Sequence, residues 1–270
     1  MASRTLTLLV LALGLTLMAC GTGGASTAAP SSSASPSPTL GVAAAPTAKA
    51  RSSPTAVPAP TYPANVMDGP PFSPLQVETY FVEPVRTDMR DYYTISAEGW
   101  ISWLGAGKLG QNTAEPVPCV GLSIINVTNL VVDGCTNHAG AHPRVGPTVD
   151  DMATALAELE QFELTKPPTA VTAFGFSGKY LELTVPDIAF EVTGDDTAFT
   201  DCLNGELWSW IGAPLSFAYH GYSHPGQVEE IWLLDVDGQR LMIVAGTSPG
   251  SSEGDIAELR SILESIDIVP

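Results

Sequence analysis

The strongest structural signal in the chain is the stretch QVEEIWLLDVDGQRLMIV, at residues 227–244. Apolar side chains recur at inward-facing spacing along both halves of it, at Val228, Ile231, Leu233, Leu241 and Ile243. Between the halves stands the pair Asp237-Gly238, and such a pair supplies the positive φ angles that a tight hairpin turn requires. We therefore predict a β-hairpin over these residues.

Two helices are predicted around this hairpin. The first begins after Thr148, because Asp151 three residues later completes a pattern that resembles a capping box. Its apolar residues recur at helical spacing, at Val149, Met152, Leu156 and Leu159. It is expected to end before Pro167-Pro168. The second helix begins at Ser251 or Ser252, and its apolar stripe consists of Ile256, Leu259, Ile262, Leu263 and Ile266.

Further strands are predicted where β-branched and aromatic residues accumulate. They comprise a strand pair at 91–103 that turns at Glu98-Gly99, one or two buried strands at 118–132, a pair at 170–185 that turns near Ser177-Gly178, and a short strand at 205–210. The order of strands, helix, strands and helix predicts an α+β fold, in which helices pack on an antiparallel β-sheet.

The first 19 residues are predicted to be a lipoprotein signal peptide. Arg4 gives a positive n-region, and residues 6–17 form an apolar stretch of the length of a signal h-region. The following Leu17-Met18-Ala19-Cys20 resembles the bacterial lipobox. This resemblance implies that Cys20 becomes the N-terminus and carries acyl chains such as palmitate, which would anchor the protein in the membrane. An ordinary secretory signal is the alternative.

Composition divides the rest of the chain. Residues 21–60 contain 35 Gly, Ala, Ser, Thr or Pro and no acidic residue. We therefore predict a disordered linker at 20–62, since such a segment buries too little apolar area to fold. Residues 63–270 are predicted to form a single extracytoplasmic domain, expected to be a monomer. All 29 acidic residues lie there against eight basic ones, which argues against nucleic-acid binding.

An aromatic group supplies the candidate ligand-binding residues. Trp208, Trp210, Tyr219 and Tyr222 lie within 15 residues of one another, together with Phe217 and two histidines. They predict either part of the core or an exposed cleft wall that contacts a lipid, a glycan or an envelope protein. No cofactor is predicted.

Two patterns raise the question of catalysis. Gly246-Thr247-Ser248-Pro249-Gly250 matches G-x-S-x-G, but Pro249 lacks the N–H that an oxyanion hole needs and no histidine follows, so we predict a turn that leads into a helix. The histidines form two i, i+4 pairs, His138 with His142 and His220 with His224, in predicted loops. Polar loop histidines are the prediction; a zinc site that joins the pairs with Asp133 is the alternative.

Several segments resemble a widespread actinobacterial extracellular domain of unknown function. They are residues 146–151, 178–186, 225–228, 234–238 and 240–241, and the resemblance spans about 88–268. Members of this family are cell-surface lipoproteins or outer portions of membrane proteins, so the resemblance implies a location and no chemistry. The strand at 93–100, the hairpin and the last helix are also similar to the α/β/α sandwich of PsbP-like proteins, which include LpqN-type lipoproteins. That similarity implies a binding or accessory protein.

The cysteine count leaves the disulfide pairing open. Cys119, Cys135 and Cys202 remain once Cys20 carries lipid, and three pairings are compatible with the spacing. The actinobacterial resemblance implies a Cys135–Cys202 bond and leaves Cys119 as a thiol in a strand.

These observations together predict a surface-tethered, non-catalytic ligand-binding or accessory lipoprotein of the bacterial cell envelope. Two alternatives come from other classes: a sensory or interaction module of an envelope signalling system, and a metal-dependent enzyme.

Overall fold

The computed structural model describes residues 63–84, 89–110, 117–193, 196–212 and 220–270. The predicted signal peptide, the predicted linker and Tyr219 lie outside the described residues. The first eight strands are β1 (Ala64–Asn65), β2 (Thr79–Val82), β3 (Arg90–Thr94), β4 (Ile101–Ser102), β5 (Gly105–Leu109), β6 (Cys119–Ile125), β7 (Val127–Asp133) and β8 (Asn137–Gly140). The later strands are β9 (Glu163–Ala173), β10 (Phe176–Thr184), β11 (Phe190–Thr193), β12 (Asp196–Phe199), β13 (Trp210–Gly212), β14 (Val228–Val236), β15 (Gln239–Thr247) and β16 (Asp267–Val269). The helices are α1 (Val149–Ala157) and α2 (Glu253–Glu264).

A seven-stranded sheet with the order β4-β5-β6-β15-β14-β10-β9 forms the centre of the fold. Its neighbouring strands are antiparallel. The predicted hairpin is confirmed as β14 and β15, with Val236 opposite Gln239. Asp237 and Gly238 adopt φ angles of 51° and 78°, and the Asp235 carboxylate accepts a hydrogen bond from the Gly238 N–H at 2.7 Å. This sequence therefore makes a hairpin turn.

The two helices pack on opposite faces of the central sheet. Leu241 and Ile243 of β15 belong to a first core, which also contains residues of α2 and of the sheet β1-β2-β3-β16. Met242 and Val244 of the same strand belong to a second core, which also contains residues of α1. A three-stranded sheet, β13-β7-β8, borders this second core. Because successive side chains of a strand point to opposite faces, one central sheet serves both cores. The predicted α+β fold with helices on an antiparallel sheet is confirmed.

Both helix starts agree with their predicted caps. Thr148 caps α1, and its hydroxyl and the Asp151 carboxylate each accept the other residue's backbone N–H in a complete capping box. Ser252 caps α2 and accepts a hydrogen bond from the Asp255 N–H. The predicted end of the first helix is imprecise, since α1 ends at Ala157. Pro167 and Pro168 instead lie inside β9, the edge strand of the central sheet, where the register with β10 shifts and neither proline has a paired residue.

The turn between β9 and β10 was predicted at the wrong place. It lies at Phe174-Gly175, and Gly178 belongs to β10. A Cβ at Gly178 would stand 2.0 Å from the Leu233 carbonyl oxygen. The glycine therefore permits the close approach of two strands. In the sequence alone, a glycine with this role looks the same as a glycine in a turn.

The other strand predictions mostly identify extended segments correctly but are wrong about which strands pair with each other. The strand pair predicted at 91–103 does not exist as a pair, because β3 belongs to the sheet β1-β2-β3-β16 and β4 to the central sheet. The buried region at 118–132 contains two strands, β6 and β7, which lie in different sheets. The strand predicted at 205–210 is a short 3-10 turn, Leu203–Gly205, followed by the later and shorter β13.

Candidate ligand-binding site

The structure disperses the aromatic residues that were predicted to bind a ligand. Trp210 and Tyr222 are 2% and 1% exposed and belong to the core beside α1. Trp208 is half-buried and stacks on the ring of His138, with centroids 4.1 Å apart. Tyr219 lies outside the described residues. Trp210 and Tyr222 are therefore part of the core. Of the three aromatic residues that the structure describes, only Trp208 has surface that a ligand can reach.

A buried polar cluster of His220, Gln227 and Glu229 lies next to these aromatics. The His220 ring stacks on Trp210 with centroids 4.3 Å apart, and its Nε2 stands 3.7 Å from the Glu229 carboxylate. The Gln227 amide donates a hydrogen bond of 2.6 Å to the same carboxylate. All three cluster residues are at most 5% exposed. Burial, with the negative charge of Glu229, raises the pKa of the Tyr222 phenol, so this residue is neutral.

The cluster borders a cavity of about 20 Å³ that is also lined by Ser123 and Gly246. None of the described residues forms a hydrogen bond with His220 Nε2 or Gln227 Oε1. This volume suits one water molecule that bridges polar groups and excludes an organic ligand. Sequence reasoning missed the cluster, although Glu229 offered a signal: it occupies the same strand face as the inward-facing Ile231 and Leu233.

His138 and His224 form contacts with residues close to them in the sequence. His138 Nε2 lies 2.9 Å from the Gly134 carbonyl oxygen, and His224 Nδ1 lies 2.8 Å from the Ser223 hydroxyl. Within the described ranges, no three or more His, Cys, Asp or Glu side chains converge where a metal ion would be held. The Asp133 carboxylate accepts backbone hydrogen bonds from Cys135 and Thr136. Burial opposes the ionisation of Asp133, but these bonds and one from Gln161 outweigh it and lower the pKa.

Ser248 of the G-x-S-x-G match is a structural residue of the turn before α2. Its hydroxyl accepts a hydrogen bond of 2.6 Å from the Cys119 N–H and donates one of 3.1 Å to the Cys119 carbonyl oxygen. Ser248 is 5% exposed. The hydroxyl therefore joins the end of β15 to the start of β6.

A disulfide joins Cys135 and Cys202, with Cα atoms 4.4 Å apart, as the actinobacterial resemblance implied. It links the turn after β7 to the segment before the 3-10 turn. Backbone hydrogen bonds from Leu203 to Cys135 and from Trp208 to Gly134 accompany it. The expectation of a free thiol at Cys119 is wrong, since no cysteine among the described residues is free.

A second concave surface is a groove beside α1, which we name the α1 groove. One wall consists of Leu130 and Val131 of β7 together with Ala141, Pro143, Val145 and Gly146 of the loop after β8. The other wall consists of Asp150, Asp151, Thr154 and Ala155 of α1 together with Glu158 and Leu159, which follow the helix directly. Its volume is about 530 Å³, within the range of about 300–1,000 Å³ that is usual for small-molecule sites.

Arg240 of β15 holds the two walls of the α1 groove in position. Its guanidinium donates hydrogen bonds to the carbonyl oxygens of Gly146, Thr148 and Val127, at 2.6, 3.0 and 2.9 Å. Three carbonyl groups from the strand, the loop and the helix cap thus share one cation. Burial lowers the pKa of Arg240, which nevertheless stays charged at neutral pH. The groove is therefore largely preformed.

The rim of the α1 groove is acidic. Hydrogen bonds from Thr148, assisted by the positive charge of Arg240, lower the pKa of Asp151, so this residue is ionised at neutral pH. Asp150 is paired with Lys179 at 3.1 Å. Glu158 is exposed and caps the C-terminal end of α1 with its backbone N–H. The most buried part of the lining, which we call the floor, consists of the apolar residues Leu130, Val131 and Leu159, each at most 8% exposed.

Comparison with known proteins identifies no family. No family model matches the sequence, and no curated protein matches it. Two solved structures are similar: LpqN of Mycobacterium tuberculosis, described as involved in cell envelope biogenesis, and the cyanobacterial PsbP protein (CyanoP) of Synechocystis sp. PCC 6803. LpqN is 13% identical, with 73% of this chain and 90% of that chain covered, and CyanoP is 12% identical, with 72% and 95% covered. The TM-score is 0.30 in both cases, so neither likeness supports an argument about this chain.

Proposed function

We propose that this protein is a non-catalytic ligand-binding lipoprotein of the bacterial cell envelope, and that the α1 groove is its binding site. The observation that carries the proposal is the groove itself, with an apolar floor, a polar rim and a volume of about 530 Å³. Ligand sites have this composition because apolar area supplies affinity and a few polar groups fix orientation.

Location outside the cytoplasm is supported by two features. The disulfide between Cys135 and Cys202 fits an oxidising compartment. The lipobox at Leu17-Met18-Ala19-Cys20 provides the anchor. Within the described ranges, no helix has both the length and the apolar character that a membrane span requires.

Thr154→Phe tests the groove, because Thr154 is an exposed lining residue and a phenyl ring there would occupy the space of a ligand. We expect uncharged organic fragments to shift the methyl NMR signals of Leu130, Val145 and Leu159 in the full chain, reconstituted in nanodiscs of zwitterionic lipid. In the variant the affinity should fall about tenfold or more, a change of at least about 1.4 kcal/mol.

The matched control is Thr169→Phe, which makes the same substitution at an exposed position of β9 that pairs with Tyr180 and does not line the groove. It should bind as the wild type does. The proposal is wrong if no fragment shifts the groove signals, or if both variants bind equally well.

Cys20→Ala tests the anchor. We expect the protein to leave the membrane fraction and to incorporate no labelled palmitate, since each acyl CH₂ contributes about 0.8 kcal/mol to membrane binding. Cell fractionation and metabolic labelling measure both effects, with Thr22→Ala as the control that keeps the lipobox. Membrane association and label that survive in Cys20→Ala would contradict the anchor.

A further inference from the structure

We propose that the α1 groove selects an organic cation with a hydrocarbon chain, of the class of primary alkylamines. This inference rests on the proposed function and adds the chemistry of the ligand. Seven of the twelve lining residues are apolar, three are acidic and none is basic. A ligand that matches this surface has an apolar body and a positive charge.

The hydrocarbon chain would lie along the floor of the groove. Ala155 of α1 and Val145 of the loop line the groove together with Leu130 of β7. The helix of nine residues is about 13 Å long, so a chain of several methylenes can lie beside it. Each methylene that leaves water would raise affinity about fourfold. The floor thus accounts for affinity but not for the choice between head groups.

The carboxylates determine which head group the groove prefers. Asp150 shares its charge with Lys179, and Asp151 is engaged with Thr148 in the capping box. Glu158 lies at the opposite end of the helix, seven residues or about 10 Å from Asp151. None of the described basic side chains forms an ion pair with Glu158. Its carboxylate is therefore the partner we assign to the ligand's ammonium group.

An anionic head group is excluded on the same grounds. The N-terminus of α1 would attract an anion, but the Thr148 hydroxyl accepts the Asp151 N–H and the Asp150 and Asp151 carboxylates already stand in the first turn. The charge of the surroundings adds to this, because residues 63–270 hold 29 acidic and eight basic residues. An alkyl carboxylate would meet repulsion from Glu158 and would find no free donor among the described residues at the other end of the groove.

Octylamine, 1-octanol and octanoate provide the test, because they share one chain and differ in charge. The full chain in nanodiscs of zwitterionic lipid is titrated with each, and the methyl signals of Leu130, Val145 and Leu159 report occupancy. Empty nanodiscs give the free concentration of each compound. We expect octylamine to bind most tightly and octanoate least, and we expect the preference for octylamine to weaken as salt rises.

Glu158→Lys should reverse this preference. Lysine at the C-terminal end of a helix is compatible with the helix dipole, so the fold should tolerate it. We expect octylamine to bind about tenfold more weakly relative to octanol, and octanoate to gain, since an exposed ion pair changes to a repulsion of similar size. Glu160→Lys is the matched control: it makes the same change in net charge at an exposed residue that does not line the groove.

The outcomes separate this inference from the proposed function. Equal binding of the three compounds at the groove signals would overturn the cation preference and leave the binding function standing. A preference for octylamine that persists in Glu158→Lys, or is lost equally in Glu160→Lys, would overturn the role of Glu158. Octylamine that leaves the groove signals unchanged would overturn the inference, whatever the uncharged fragments do.

Discussion

The free energy of unfolding of Asp91→Asn, measured relative to that of the wild type, should be about 4 kcal/mol higher at pH 8 than at pH 4. Asp91 lies in β3, and its side chain is 0% exposed. Its neighbours across the strands are Val82 and Ile268. None of the described residues forms a hydrogen bond with either carboxylate oxygen. A carboxylate without partners in such a place is costly to ionise.

The pKa of Asp91 determines where this effect appears. Burial raises it from 3.8 to about 7. The folded state therefore holds a proton that the unfolded state has lost at every pH between these values. Stability is greatest below the unfolded pKa and decreases as pH rises, until Asp91 ionises in the folded state near pH 7. Asparagine has the same shape and no charge, so the variant lacks this decrease.

The measurement is the free energy of unfolding in denaturant, from pH 4 to pH 8.5, for the wild type and for Asp91→Asn. Any cost of burying the amide is the same at each pH. The growing difference between the two curves therefore measures the effect of ionising the Asp91 carboxylate. Parallel curves across this range would show that Asp91 ionises in the folded state as easily as in the unfolded one.

Replacing both Cys135 and Cys202 by serine should lower the free energy of unfolding by about 4 kcal/mol, if the chain-entropy account of disulfides holds. The bond closes a loop of 67 residues, and its loss gives the unfolded chain more conformations. The loop includes α1, β9, β10 and the groove wall at 141–146. The serine variant should therefore also bind groove ligands more weakly at temperatures near its unfolding transition.

Thr136→Ser is the matched control, because it lies next to Cys135, is exposed and leaves the bond intact. Denaturant unfolding of the three proteins under non-reducing conditions gives the comparison. Peptide mapping of the wild type should find Cys135 and Cys202 in one linked peptide. A loss well below 1 kcal/mol in the double variant, or a Cys119–Cys135 peptide, would contradict the assignment.

The sequence was most informative where a structure depends on neighbours along the chain. Asp237-Gly238 predicted the hairpin turn, and Thr148 and Ser252 predicted the two helix starts, because each acts through hydrogen bonds or backbone angles within three residues. Proline and glycine were misread where tertiary position sets their role. Pro167 is tolerated because β9 is an edge strand, and Gly178 is needed because a neighbouring strand passes close to it.

The sequence alone determined that the chain has an antiparallel hairpin, two capped helices and an α+β composition, since these follow from local periodicity and turn chemistry. Only the tertiary structure decided which strands share a sheet, which aromatic residues are buried and where a ligand has room. The α1 groove shows the reason most clearly. Its walls come from β7, a loop and α1, and Arg240, more than 90 residues from Gly146 along the chain, bonds them together. Contacts of that range depend on the packing of the whole sheet, and no local pattern of residues encodes them.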